Sequence, residues 1–542
     1  MEIGKKIITP ISWDAVFDNK AFQRDLEELS LPDYIQNCRW FAGKSSTIKH
    51  IRIQHHLKIN DKTNLFYILI LEVQFKEAFS QQYLLPVALI SEKEESAYAL
   101  LPYICRIETA EIEGVLYDAL YIPLFRELLF DYLIKNKSIN PGYGVIQFER
   151  ADAFQVSSKS KKTSEILKAE QSNTSIVYND HYFFKWFRRV FPESNPDLEI
   201  SRFLNLNQFP YTAQYLGGIS WLRPDKSPIS LGLMQQKVDN EGDAWRWMLD
   251  KVNVFFENFD KDPKLRLSWA SKEKLFEPIK ASNLSPQVTE LLTKDFIKAV
   301  ITMGKRTAQM HIALAKDNGQ VSFTPVPFNP DYSVWLKNKV SYLFDQRIGL
   351  LEKNITKLRG LAREYGQTFL DKRNEVLEEI LGFDESKLRS MRTRVHGDFH
   401  LGQMLVHTDD FYILDFEGEP ESTIRDRKVK QSPLKDVAGM LRSFHYAIYA
   451  TLFNENIKWS LSQDDLFDLA ERFYHLLCGL YLQGFIRTAV KGGLDIGYKP
   501  EIHYLLRYHL LEKAVYELGY ELNSRPAWAI IPLRGIMRIM QF

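Results

Sequence analysis

Cysteine is scarce, with Cys38, Cys105 and Cys478 the only three in 542 residues. They stand far apart, in no metal-ligand or redox spacing, which excludes a cysteine-built zinc site and fits a reducing compartment. Long apolar runs are also missing, so no segment is expected to span a bilayer. The opening Met-Glu-Ile-Gly-Lys-Lys lacks the apolar core of a signal peptide, and the expectation is a cytoplasmic protein with no membrane partner. Net charge is nearly absent at +1, which leaves no overall field to attract nucleic acid. The local basic patch of Arg425, Arg427, Lys428 and Lys430 does not alter that. A Walker A sequence is absent, which excludes a P-loop core, and no repeat of solenoid length is seen. The low-complexity patch at 157–164 reads as an exposed loop.

The 45% hydrophobic content is that of a globular chain, and its length suggests two to four units. The most informative stretch is Val395-His396-Gly397-Asp398-Phe399-His400-Leu401-Gly402-Gln403, followed by Ile413-Leu414-Asp415-Phe416-Glu417. It sets an Asp, a side-chain amide five residues on, and a second Asp after a short apolar run. Phosphoryl transfer uses such a set: one carboxylate orients and deprotonates a hydroxyl, while an amide and another carboxylate hold Mg²⁺. Taken alone, His396, Asp398 and His400 are open to two other readings, as metal ligands of a hydrolase or as ordinary turn residues.

Upstream, strands are expected over 51–57 and 65–75 with a turn between, and a helix over 118–134. A tight hairpin is read at Asn179-Asp180, and a helix opening at Pro196 with Asn195 as its cap. A strand follows over 231–238. Beyond residue 243 the pattern turns helical, over 244–259, 288–315, 332–344 and 353–380, and again from Leu434 to the end, with a catalytic hairpin near 395–415. A sheet-rich segment followed by a helical one predicts an α+β, protein-kinase-like bilobal fold. The expected division is 1–90 as an N-terminal cap, 91–238 as an intermediate and nucleotide-binding segment, and 239–542 as the helical part.

The polar loop of Gln171, Ser172, Asn173, Thr174 and Ser175 lies where a kinase carries its phosphate-covering loop, and its side chains and backbone offer donors. Lys185, flanked by aromatics, must be paired or snorkel. The functional reading has it on the α/β-phosphates, held by Glu199; the alternative places it on a solvent-facing strand side. Backbone groups from Gln236 to Val238 are placed, by order along the chain, at the adenine.

Cys38-Arg39-Trp40-Phe41-Ala42-Gly43-Lys44 resembles a signature of the bacterial maltokinases. Similar to that family in the same order are residues 171–175, 195–200, 241–245, 396–403, 414–420 and 432–443, then 512–517 followed by Arg525-Pro526. Phe399 stands where the resemblance expects Leu, and extra material is expected near 256–290 and 350–390. The resemblance implies an aminoglycoside-phosphotransferase-like kinase with a cap, which uses ATP and Mg²⁺ to phosphorylate maltose at its anomeric hydroxyl for α-glucan synthesis. It also implies trehalose synthase as a partner, since the same domain occurs fused to that enzyme. Relatives with this catalytic pattern phosphorylate glucosamine, so a kinase of another sugar or amino sugar stays open. A non-catalytic partner module stays open too.

On the kinase reading Asp398 is the catalytic residue, Gln403 and Asp415 ligate Mg²⁺, and Glu417 is a further metal candidate. Sugar-site candidates are Glu512, Lys513, Tyr516 and Glu517 on one helix, with Asp436 and Arg442 paired to shape the same pocket. His396 and His400 flank Asp398, and both are read mainly as braces of the catalytic loop. The segment 39–44 is either part of a lid or a packing motif.

Overall fold

The computed structural model describes residues 6–44, 46–61, 63–156, 163–167, 172–261, 275–454 and 457–542. Gln171 and most of the patch at 157–164 lie outside them. Chain contacts divide the protein into two compact units, Met1–Arg202 with Ala213–Val238, and Phe203–Thr212 with Asp239–Phe542.

The first unit holds two sheets. In the N-terminal sheet the strands Ile48–Asn60, Leu65–Phe75, Gln81–Ser91, Glu113–Asp118 and Tyr103–Glu108 lie side by side in that order, with Ile7–Ile8 at the far edge. The expected hairpin is its start. Asp61 closes the turn by accepting the backbone N–H groups of Thr63 and Asn64, both at 2.7 Å. The strand Leu65–Phe75 buries both faces. Phe66, Ile68 and Ile70 enter one core, while Tyr67, Leu69, Leu71 and Val73 enter another. That parity is the two-residue period of a strand. One core is closed by the helices Lys20–Leu29 and Leu31–Asn37 together with Trp40 and Phe41; the other is shared with the helix Pro123–Ile134 and the second sheet. The boundary expected at residue 90 therefore cuts a strand, Gln81–Ser91, whose later neighbour Glu113–Asp118 belongs to the same sheet. Composition carries no sign of that return, because the strand pairing is non-local.

In the second sheet the order is Ser138–Ile139, Val145–Arg150, Tyr215–Leu222, Pro228–Gln236, Tyr182–Phe187, Asn173–Tyr178, Ser164–Ile166. Asn179 and Asp180 both adopt positive φ, 51° and 60°, and His181 N–H donates to the Tyr178 carbonyl at 3.0 Å. This is the mirror-image turn that matches strand twist, and Asn and Asp tolerate it best after glycine. Asn195 caps the helix Pro196–Leu206 by accepting the Asp197 N–H at 2.8 Å.

The second unit is mainly helical. The helix expected over 288–315 is two helices, Pro286–Leu292 and Lys294–Leu314. They are separated at Thr293, which sits at φ 67° and accepts the Phe296 N–H on its hydroxyl at 3.3 Å. The one expected over 332–344 runs further, as Pro330–Asn354, and the stretch 353–380 holds Gly360–Asp371 and Arg373–Leu381. The helices Leu434–Leu452, Gln463–Lys491 and Lys499–Ser524 form the long closing segment. Among the described residues, no helix is long and apolar enough to cross a membrane.

One buried charge pair stands out in the first unit. Arg188 and Asp118 are both fully buried and 2.6 Å apart. Removing one partner leaves the other charge without compensation in the interior. The substitution Arg188→Met is expected to destabilise this unit by about 3–5 kcal/mol. Urea unfolding would read this, and a loss below about 1 kcal/mol would show that the pair contributes little.

Candidate active site

The strands Met404–His407 and Asp410–Ile413 pair antiparallel and set Asp398, Gln403 and Asp415 around one hairpin. Gly397, at φ 87°, turns the chain before Asp398 and lies so near Gly418 that a Cβ would meet its Cα at 3.3 Å. His396 Nε2 lies 2.9 Å from the Leu414 carbonyl and so bridges the two halves of the motif. Gln403 donates its amide N–H to Asp415 Oδ2 at 3.0 Å. Its amide oxygen is thereby oriented alongside a carboxylate whose backbone is held at φ 64°. An amide oxygen beside a carboxylate, with the half-buried Glu417 two residues on, is a set of hard oxygen donors of the kind Mg²⁺ takes.

Beneath this loop lies Asp436, near the start of the helix Leu434–Leu452. Its carboxylate accepts the backbone N–H groups of His396 at 2.8 Å and Gly397 at 2.9 Å, and His311 Nε2 lies 3.2 Å away. Burial pushes the Asp436 carboxyl up, but His311, His396 and the Gly397 N–H outweigh it and hold it below the usual carboxylate range. The helix comes this close because Gly439 has no side chain: a Cβ there would lie 2.4 Å from the Phe399 carbonyl oxygen. Ser443 adds a further anchor, accepting the Leu401 N–H at 3.1 Å. The expected pairing of Asp436 with Arg442 does not occur. Arg442 reaches Glu517 through Nε at 2.9 Å and Nη2 at 2.6 Å, while Asp436 is taken up by the loop backbone. The two residues are six apart, which on a helix turns them to different faces.

Asp398 itself is paired with Lys513, whose Nζ donates to Oδ1 at 2.8 Å. Burial raises the Asp398 carboxyl and the Lys513 ammonium overrides it, so the group stays below its ordinary value and ionised. Next to this pair sits a buried charge cluster. Glu419 lies 3.0 Å from Lys339 and 3.3 Å from Lys435. Glu512 accepts from Lys435 and lies near His509 Nδ1, both at 2.8 Å. A cavity of about 10 Å³, room for one water, lies among Phe399, Glu419, Lys435, His509, Glu512 and Lys513. Together with Asp398 and Lys513, three carboxylates face three ammonium groups. Glu512 is thus a member of this cluster, and Tyr516 and Glu517 lie half-buried one turn on. Tyr516 has the Lys513 ammonium 4.8 Å from its ring centre. His400 Nδ1 accepts the Gly402 N–H at 3.1 Å, as only a neutral ring nitrogen can, and burial lowers its pKa.

In the first unit Lys185 is buried and pairs with Asp197, at 2.8 Å, rather than with Glu199. Two residues apart on a helix is a turn of about 200°, so when Asp197 faces the sheet Glu199 points off it, half-buried. The expected phosphate loop is also shorter than read. Asn173, Thr174 and Ser175 belong to the strand Asn173–Tyr178, Ser175 is fully buried, and the Thr174 hydroxyl accepts from Arg188 at 2.8 Å. Ser172 alone of the described loop residues is exposed before that strand. At the expected hinge the N–H groups of Gln236 and Lys237 are committed to the carbonyls of Gln214 and His181, both at 2.9 Å. The Gln236 amide hydrogen is therefore not open to adenine, and Val238 is half-buried.

Known proteins resemble this chain over most of its length. It is 20% identical to a glucosamine kinase of Mycolicibacterium smegmatis (strain ATCC 700084 / mc(2)155) over 396 residues, 73% of this chain and 84% of the relative. With a glucosamine kinase of Streptacidiphilus jiangxiensis the identity is 22% over 286 residues, and the match spans about half of each, 52% and 54%. A solved glucosamine kinase in complex with glucosamine, ADP and inorganic phosphate superposes with a TM-score of 0.59 at 14% identity, covering 95% of this chain and 98% of that one. A second crystal form gives 0.61 at 15% identity, covering 96% and 99%. The profile of the maltokinase N-terminal cap domain matches residues 34–121. The chain thus carries a maltokinase-type N-terminal cap over residues 34–121 and shares the fold of the solved glucosamine kinases. Its fold is the α+β kinase-like fold with an N-terminal cap. The cap match takes in the Trp40 motif and ends at Tyr121, just past the strand Glu113–Asp118 of the first sheet.

Several residues of this candidate site carry no mark of their own in the sequence. Glu419 and Lys435 lie inside motifs that drew attention for other residues, and a buried Lys beside a motif Asp is a usable signal. Lys339 lies mid-helix and His311 in the last turn of its helix, with no local mark at all. The dependence of Asp398 on Lys513 has a direct consequence for pH. With Lys513→Met, burial loses its main opponent and the carboxyl gains its proton at higher pH. The acid limb of kcat/KM, where activity is lost as pH falls, is therefore expected to move upward. A pH–rate profile of the variant with an unmoved acid limb would contradict this.

Proposed function

We propose that the protein phosphorylates maltose at its anomeric hydroxyl, using ATP and Mg²⁺, to give maltose 1-phosphate for α-glucan synthesis. The observation that carries the choice of acceptor is the charge balance around Asp398. Each acidic group of that cluster is ion-paired, Asp398 with Lys513, Glu419 with Lys339 and Lys435, and Glu512 with Lys435, and so is the neighbouring Glu517, with Arg442. An uncharged sugar enters such a set without disturbing it. An amino sugar would bring an ammonium beside Lys513, at a cost of up to about 4 kcal/mol for like charges at close range.

In this reading Asp398 orients the hydroxyl and accepts its proton as the oxygen attacks the γ-phosphorus in line. The bond from that phosphorus to the β,γ-bridging oxygen breaks, and ADP leaves. Lys185, fixed by Asp197, and the backbone around Ser172 hold the triphosphate. Gln403 and Asp415, with Glu417, would hold Mg²⁺, which supplies neutralisation of the phosphate charge. The protein contributes positioning and a carboxylate kept ionised by its neighbour. Trehalose synthase, which makes and consumes related disaccharides, is the proposed partner.

The glucosamine kinases among the similar proteins make phosphorylation of an amino sugar the second reading. ADP release with Mg²⁺-ATP across maltose, glucose, glucosamine, trehalose and an aminoglycoside separates the two. Dependence on maltose, falling by ~10²–10⁴-fold in Asp398→Asn, is the expected result. Turnover with glucosamine alone would keep the kinase and overturn the acceptor, and silence with every sugar would overturn both.

A further inference from the structure

The cap motif around Trp40 plays no part in the chemistry above, yet it leads to a single side chain that reaches the nucleotide strands. We propose that Arg188 is a positioning residue that couples the cap sheet to the strands carrying Thr174 and Lys185, so that the cap sets nucleotide affinity. This rests on the nucleotide reading of Lys185 and Asp197.

Four separate elements meet on this one guanidinium. Nη2 is ion-paired at 2.6 Å with Asp118, the last residue of the cap strand Glu113–Asp118. Nη1 lies 3.5 Å from the carbonyl of Leu84, in the strand Gln81–Ser91. The Trp40 ring covers its face at 4.6 Å. Nε donates to the Thr174 hydroxyl at 2.8 Å, on the strand that follows Ser172. All of this is buried, with Arg188 and Asp118 fully so.

The backbone makes the same connection. Arg188 follows the strand Tyr182–Phe187, in which Lys185 stands opposite Ser175 and Trp186 opposite Thr174. The Arg188 carbonyl accepts the Leu84 N–H at 2.8 Å, and Arg189 and Val190 then pair with Tyr83 and Gln82 of the cap sheet. The chain that presents Lys185 is thus stitched to the cap within three residues, and the Arg188 side chain folds back to the neighbouring strand. A planar fork transmits position because its donors cannot move independently. A shift of Asp118 or Trp40 must therefore be felt at Thr174. A lysine would retain the charge against Asp118 and lose the Nε bond.

An ion pair that merely held the cap in place would alter stability and leave nucleotide affinity in the folded protein alone. The test is calorimetric binding of Mg²⁺ with a non-hydrolysable ATP analogue to the full chain, beside KM for ATP and for sugar and a thermal melt. The variants are Arg188→Lys, Asp118→Asn, Thr174→Val and the double Asp118→Asn/Thr174→Val. Nucleotide affinity is expected to fall at least ~5-fold in Arg188→Lys and in Asp118→Asn, with KM for sugar unmoved. The double variant should be no weaker than the weaker single, because both changes break the same link. Unchanged affinity in the folded variants, or losses that multiply in the double, would overturn the proposal. If Asp118→Asn does not fold, Arg188→Lys decides alone. Wild-type protein that binds no nucleotide would sink the kinase reading and this inference with it, whereas wild-type binding with indifferent variants sinks only the inference.

Discussion

The contact between Asp398 and Lys513, at 2.8 Å, is the interaction on which the catalytic unit depends. A half-buried carboxylate at the end of a tight loop is pushed toward taking up a proton by desolvation. Lys513 prevents this, and it is itself tolerable there only because Glu419 and Asp398 both stabilise its charge. Glu419 in turn needs Lys339 and Lys435, and Lys435 needs Glu512. The cluster is therefore a closed set of mutual obligations drawn from three helices and two loops. On the proposed reading it supplies a general base that is ready at neutral pH, and it leaves the surroundings of that base without net charge.

Geometry below the loop serves the same end. Asp436 spends both carboxylate oxygens on the backbone of His396 and Gly397, so the position of Asp398 is set from the helix core rather than from the loop itself. Gly439 allows the approach, and Gln403 ties the second motif carboxylate to the hairpin. In the first unit Lys185 is held from a helix start by Asp197. In both units, a charged group is aimed by a partner on a rigid element, which is how a phosphoryl-transfer site gains rate without covalent chemistry.

Much of this was legible in the sequence, for identifiable reasons. The Asp398, Gln403 and Asp415 spacing is local, and so are the turn at Asn179-Asp180 and the Asn195 cap. Local patterns survive folding, and the motif order pointed to the kinase fold and its cap. What was missed is non-local or rotational. The sequence does not distinguish Asp197 from Glu199 as the partner of Lys185, because a helix face cannot be fixed until the helix docks on its sheet. Nearness along the chain suggests a pair of Asp436 and Arg442, whereas the loop backbone takes the one and Glu517 the other. A cap boundary at residue 90 is what the sequence suggests, because nothing in residues 103–118 announces their return to the first sheet. Lys339 and His311 gave no sign, since a charge in a helix reads as solvated until its buried partner is known.

Location of the transferred phosphate tests the account most directly. The product formed from maltose and ATP would be examined by a ³¹P–¹H correlation spectrum. A cross-peak from phosphorus to the anomeric proton of the reducing glucose is the predicted result, placing the phosphate on the hydroxyl that Asp398 addresses. Phosphate on any other carbon, or ATP consumed with no phosphorylated maltose formed, would contradict it.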